Sequence, residues 1–147
     1  MQRNILIRRF YAHPIERVWQ ALTDPQALAA WYADNNFQPV VGHRFEFRTD
    51  PGPTFDGRLT CEVVAVEPPH RLAYTFIGGA MKRDTVVNWT LTPEGSGTRL
   101  QLEHTGFIGF HAILISHILG RGWLNFLQRL PTVLDHLAKQ AMKEQEK

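Results

Sequence analysis

Cysteine is almost missing from this chain. Cys61 is the one cysteine in 147 residues, so no internal disulfide can form, and a reducing compartment is compatible with the sequence. Long apolar runs are missing too. The stretch Phe107–Leu119 is interrupted by two histidines and a serine, and it falls short of the ~18–20 residues that a membrane span needs. The apolar run near the N-terminus, Ile5-Leu-Ile7, is far too short for a signal-peptide core. Charge of one sign is also scarce. The formal net charge is +2, and Arg8-Arg9 is the nearest thing to a basic cluster, with adjacent strand residues pointing to opposite faces. Nucleic-acid binding would want a clustered basic surface, so no nucleic-acid partner is expected. Internal repeats and flexible linkers are absent. Hydrophobic residues at 44% and charged residues at 20% set disorder aside. We expect a single domain over residues 1–147, cytoplasmic and without a membrane span.

Periodicity supplies the elements that are present. Ile5–Tyr11 reads as a first strand, stopped by His13-Pro14. Pro14–Leu22 follows as a helix, with Ile15, Val18, Trp19 and Leu22 on one face. Asp24-Pro25 has the composition of a fresh helix start, Asp24 as N-cap and Pro25 as first residue, carrying Leu28 and Trp31 inward. Phe37–Gly42 reads as a loop. Five strands then follow: His43–Arg48, Gly57–Val66, Arg71–Ile77, Thr85–Leu91 and Arg99–Thr105. Their alternation puts Phe45 with Phe47, Leu59 with Cys61, Val63 and Ala65, and Leu72 with Tyr74 and Phe76 on apolar faces. Val87, Trp89 and Leu91 share another such face, as do Leu100, Leu102 and His104. Asp50–Pro53, Gly78-Gly79 and Pro93–Gly97 are turns by composition. Connections this short favour antiparallel neighbours.

From Trp123 onward, apolar side chains recur at Leu127, Leu130, Leu134, Leu137 and Ala141, one side of a long helix. Pro131 interrupts it, at a cost of ~3 kcal/mol in a helix interior. Either the helix kinks near Leu127 or Pro131 starts a second segment; the continuous apolar register favours a kink. The fold class is α+β.

These residues carry a resemblance. Pro14–Trp19, Leu22–Pro25, Leu28–Trp31, Gly42, Gly57, Glu67–Thr75, Gly97–Leu100, His104–Gly106 and Gly122-Trp123, in that order, resemble the START-like (SRPBCC, Bet v 1-like) superfamily. The branch is the one homologous to the activator of the heat-shock protein 90 ATPase. The resemblance implies a helix-grip fold: a bent antiparallel sheet wrapped around a long C-terminal helix, with two short helices after the first strand and an apolar cavity between sheet and helix. It also implies ligands such as lipids, steroids and polyketides, and in some members cyclase or hydrolase activity. The activator itself has a further N-terminal domain for its chaperone contacts, which this sequence does not show, so that role does not transfer.

The candidate ligand-binding residues are Trp31, Phe45, Phe47, Tyr74, Phe76, Trp89, His104, Trp123, Phe126 and Leu130. Each is equally at home in an ordinary core. Tyr74, Trp89 and His104 add polar atoms that could orient a guest. No metal site is expected, because His111 and His117 lie six apart and no H-x-x-x-H or H-E-x-x-H spacing occurs. Nor is any cofactor expected. Ser116 beside His117 is not triad geometry, and a buried Cys61 would be inert. The leading expectation is non-catalytic binding of a small hydrophobic or amphipathic molecule. One alternative is a polyketide cyclase- or hydrolase-like enzyme using Tyr74 and His104 to handle protons. Another is a stress-related or chaperone-associated interaction domain using Phe107–Leu119, a segment that could equally be a lid over the cavity, a core helix, a homodimer surface or a membrane-touching element.

Overall fold

The computed structural model describes residues 1–53 and 55–146; Thr54, and Lys147 at the end of the expected 1–147 unit, lie outside the described residues. The strands are β1 (Gln2–Tyr11), β2 (Asp34–Asn35), β3 (Arg44–Arg48), β4 (Arg58–Glu67), β5 (Arg71–Gly78), β6 (Thr85–Glu94) and β7 (Gly97–Ile108). They form one seven-stranded sheet in the order β1-β7-β6-β5-β4-β3-β2, antiparallel throughout. The turns between β3 and β7 are too short for a parallel crossover, so the sequence imposes this meander. At its tightest, Glu94 pairs with Gly97, leaving Gly95-Ser96 as a two-residue turn with Gly95 at φ +61°.

Helices α1 (Ile15–Thr23) and α2 (Pro25–Trp31) fill the connection from β1 to β2. The Asp24 carboxylate accepts from the Ala27 amide at 3.2 Å with Pro25 in the first turn, so the N-cap sits where the composition puts it. Two of the sequence expectations need correction on the sheet. The Asp34–Asn35 strand falls where none was expected, next to the Phe37–Gly42 loop. A bulge between Val63 and Ala65 shifts the β4 register, so Val66, and not Ala65, packs against the core. A bulge adds one residue and reverses the alternation beyond it.

The C-terminal third differs more. Strand β7 runs on through Gly106 to Ile108, so Phe107 is a buried strand residue. Helix α3 (Phe110–Leu127) begins directly after it and continues through Gly120-Arg-Gly122 without a break. The expected bend falls directly after Leu127. Gln128 and Arg129 keep right-handed helical angles but separate α3 from α4 (Leu130–Gln145). Pro131 therefore stands in the first turn of α4, where its missing N–H costs nothing; the proline starts a second segment and the apolar register crosses the joint. Trp123, Leu127, Leu130, Leu134 and Leu137 are all buried. Helix α3 lies against β1 and β7, and α4 against α1 and α2. A bent sheet gripping a long, bent C-terminal helix is the helix-grip arrangement.

Candidate ligand-binding site

Nine of the ten sequence-predicted residues are fully inside: Trp31, Phe45, Phe47, Tyr74, Phe76, Trp89, His104, Trp123 and Leu130. Phe126 is half-buried at the rim, with the Arg129 guanidinium 5.4 Å from its ring centroid. The rings pack on one another. Trp89 meets Trp31 edge to face at 6.0 Å and Trp123 at 5.5 Å, and Phe45 meets Phe47 and Tyr74, each at 5.3 Å. Tyr32, absent from the expected set, sits in their midst. It stacks on Trp123 at 5.0 Å and meets Phe47 and Phe126 edge to face, each at 4.6 Å. It follows Trp31 directly, at the C-cap of α2, where helical periodicity no longer assigns a face.

Polar atoms inside this cluster are joined in a definite order. The Trp123 indole N–H can only donate, and it donates to His104 Nδ1 at 3.1 Å. Nδ1 is therefore unprotonated, and the neutral ring carries its hydrogen on Nε2. That nitrogen lies 2.7 Å from Thr85 Oγ1, and the Thr85 hydroxyl donates onward to the Phe76 carbonyl at 2.6 Å. Both ring nitrogens of His104, the Trp123 N–H and the Thr85 hydroxyl therefore all have partners. Burial pushes the His104 imidazole down to about 3, because charging it there would forfeit hydration with no anion in exchange. Trp89 Nε1 donates to the Tyr74 hydroxyl at 3.0 Å. Burial lifts the Tyr74 phenol far above its ordinary range, against a smaller lowering by that hydrogen bond.

Beside the cluster, a cavity of about 320 Å³ opens where the β5–β6 connection faces the β7–α3 junction. Met81, Phe107, Phe110, Ala112 and Ile115 give it an apolar lining, Thr85 sits at its buried base, and Lys82 and Arg83 stand at its edge. None of the ten predicted residues lines it. Thr85 belongs both to this lining and to the His104 chain, so the cavity ends where the aromatic cluster begins. Gly106, at φ +101°, lets β7 pass close to β6 here, since a Cβ would stand 3.2 Å from Thr85 Cα. His111 reaches across from α3 to the Ala80 carbonyl at 3.2 Å. Other hollows, of about 410 to 490 Å³, are more open to solvent. Phe107, Phe110, Ala112 and Ile115 lie in the Phe107–Leu119 segment that the sequence left open as a lid, while Met81, Lys82 and Arg83 come from a turn, where no periodicity marks a face. Among the described residues no group of three histidine, cysteine, aspartate or glutamate side chains is placed to hold a metal ion. His104 lies in the core, His111 bonds a carbonyl and His117 is exposed.

The family described as activator of Hsp90 ATPase homolog 1-like protein matches residues 12–135, which takes in everything from the end of β1 to the middle of α4. The chain belongs to this family. Its Bet v 1-like fold recurs in solved relatives. Protein MLL2253 from Mesorhizobium loti is 37% identical with a TM-score of 0.81, over 91% of this chain and 98% of that one. CalU16 from Micromonospora echinospora is 27% identical with a TM-score of 0.74, over 97% of this chain and 83% of that one. DynU16, a protein in the dynemicin biosynthetic locus, is 27% identical with a TM-score of 0.72, over 90% of this chain but 47% of its own. No curated protein matches the chain. Rings of the predicted set pack on one another in the interior, and an apolar-lined cavity lies beside them at the sheet–α3 junction.

Proposed function

We propose that the chain binds a small apolar or amphipathic molecule in the 320 Å³ cavity between the sheet and the first half of α3. The cavity itself carries the reading. Its size falls at the lower end of the ~300–1,000 Å³ range of small-molecule sites, and its lining is apolar with a few polar groups, as such sites require. The origin of DynU16 in a biosynthetic locus supports a small-molecule guest. The aromatic cluster, Tyr74 and His104 included, serves as the rigid wall behind Thr85 and Phe107.

Binding without turnover fits the polar chemistry. A proton handler works best with a pKa near the operating pH and a free lone pair or proton. His104 has neither nitrogen free and is held neutral down to about 3. The Tyr74 phenol is held protonated. Neither side chain lines the cavity.

Native mass spectrometry of freshly purified protein tests the proposal. A reproducible extra mass of a small organic molecule, released on denaturation and missing from Ala112→Phe, is the expected result. A clean mass after incubation with lipid and aromatic extracts would overturn it.

A further inference from the structure

Helix α3 has two apolar faces where a half-buried helix has one. Trp123, Leu127 and Ser116 point inward. On the opposite side Phe110, Leu114 and Ile118, spaced at four residues, are 69%, 51% and 71% exposed. One turn further along the same stripe stands Arg121, also exposed. Scattered exposed apolar residues need no account, but a continuous stripe of them marks a contact surface. Ile108, 52% exposed at the end of β7, adjoins the stripe at its N-terminal end.

The charges around the stripe are mostly basic. Helix α3 contains no aspartate or glutamate between Phe110 and Leu127 and carries Arg121 with two histidines. Lys82 and Arg83 stand beside Phe110 on the rim of the cavity, and both are exposed. Asp84, exposed and next in sequence, is the one carboxylate of that connection. Three large apolar side chains on one helical stripe, flanked by cations, are complementary to a lipid surface bearing anionic headgroups: the apolar groups enter the acyl boundary while the cations meet the phosphates. A second copy of the chain would bring the same basic rim against itself. Among the described residues no helix is long and apolar enough to cross a membrane, so contact through α3 would be peripheral.

We propose that the Phe110–Leu114–Ile118 stripe with Arg121, Lys82 and Arg83 docks the protein on an anionic bilayer surface. The surface is distinct from the interior of the cavity, and the proposal stands whatever the cavity holds. Docking would set the cavity mouth, which shares Phe110, Lys82 and Arg83 with this surface, against the lipid.

Co-sedimentation tests it with vesicles of phosphatidylcholine alone and of phosphatidylcholine mixed with phosphatidylglycerol. The protein is expected to pellet with the mixed vesicles, less so as salt is raised, and poorly with phosphatidylcholine alone. Ile118→Ser and Leu114→Ser should each weaken partitioning about tenfold, and Arg121→Ala about fivefold. All three sites are exposed, so thermal unfolding should stay at the parent's midpoint. The proposal is overturned if the mixed vesicles leave the protein in the supernatant. Pelleting that is unmoved by the three substitutions also overturns it. So does a homodimer in light scattering that Ile118→Ser converts to monomer, because the stripe would then be a protein interface.

Discussion

Trp123 on α3 and His104 on β7 are joined by a 3.1 Å hydrogen bond from the indole N–H to Nδ1, and this bond decides the state of the whole buried polar chain. It fixes the tautomer of His104, which sets the direction of the bond to Thr85. Trp123→Phe should therefore destabilise the protein by more than its lost volume. An acceptor left unpaired at a 0% exposed residue costs about 1–3 kcal/mol, on top of the packing loss. Urea unfolding measures the total; a change below about 1 kcal/mol would show the bond to be incidental.

Acid should weaken the fold through the same histidine. Its folded pKa of about 3 lies below the ordinary value of 6.5, so between those limits the unfolded chain binds the extra proton. The stability that neutral His104 contributes is thus complete above about pH 6.5 and is lost as pH falls toward 3. At pH 5 the loss should be about 2 kcal/mol. His104→Gln, whatever its own cost, should flatten the slope of stability between pH 7 and 5; an unchanged slope would assign it to other groups.

Cys61 offers an inexpensive check on packing. Its thiol is 1% exposed, and burial foremost, with the Asp84 charge second, raises its pKa far above the ordinary range. A disulfide reagent should react with it only as fast as the protein opens, and promptly in urea. Rapid reaction under native conditions would mean that β4 is far less enclosed.

Gly106→Ala probes the base of the cavity. The residue holds φ +101°, and a Cβ there meets the Thr85 backbone at 3.2 Å, so a cost of about 1–3 kcal/mol is expected. The same substitution pushes on Thr85 and should lower ligand occupancy in native mass spectra. Wild-type stability and occupancy together would count against the close passage of β7.

Much of the fold was legible because its elements are long and strongly patterned. Phe45 and Phe47, Leu72 through Phe76, and the seam from Trp123 to Leu137 each follow one period and are buried as that period demands. The Asp34–Asn35 strand is too short to show any period. Ala65 was misassigned because a bulge leaves no mark on composition. Phe107 went to the wrong element because Gly106, which usually ends a strand pattern, here lets one continue. The candidate site was less legible for a related reason. Strand alternation and helical spacing identify which residues face inward, but they do not distinguish a packed interior from an open one. That depends on how rings of known identity fit, and here Tyr32 takes up space between Phe47, Trp123 and Phe126.

The shared position of Thr85 has a consequence for selectivity. Its hydroxyl is committed to His104 and to the Phe76 carbonyl, so it is held firmly and cannot swing aside for a guest. A molecule entering the proposed site past Met81 and Phe110 would meet a fixed stop, and going deeper would mean breaking this chain of buried hydrogen bonds. On that proposal the site would measure length before it measures chemistry: compact guests would fit under the stop, and extended chains would leave their remainder outside.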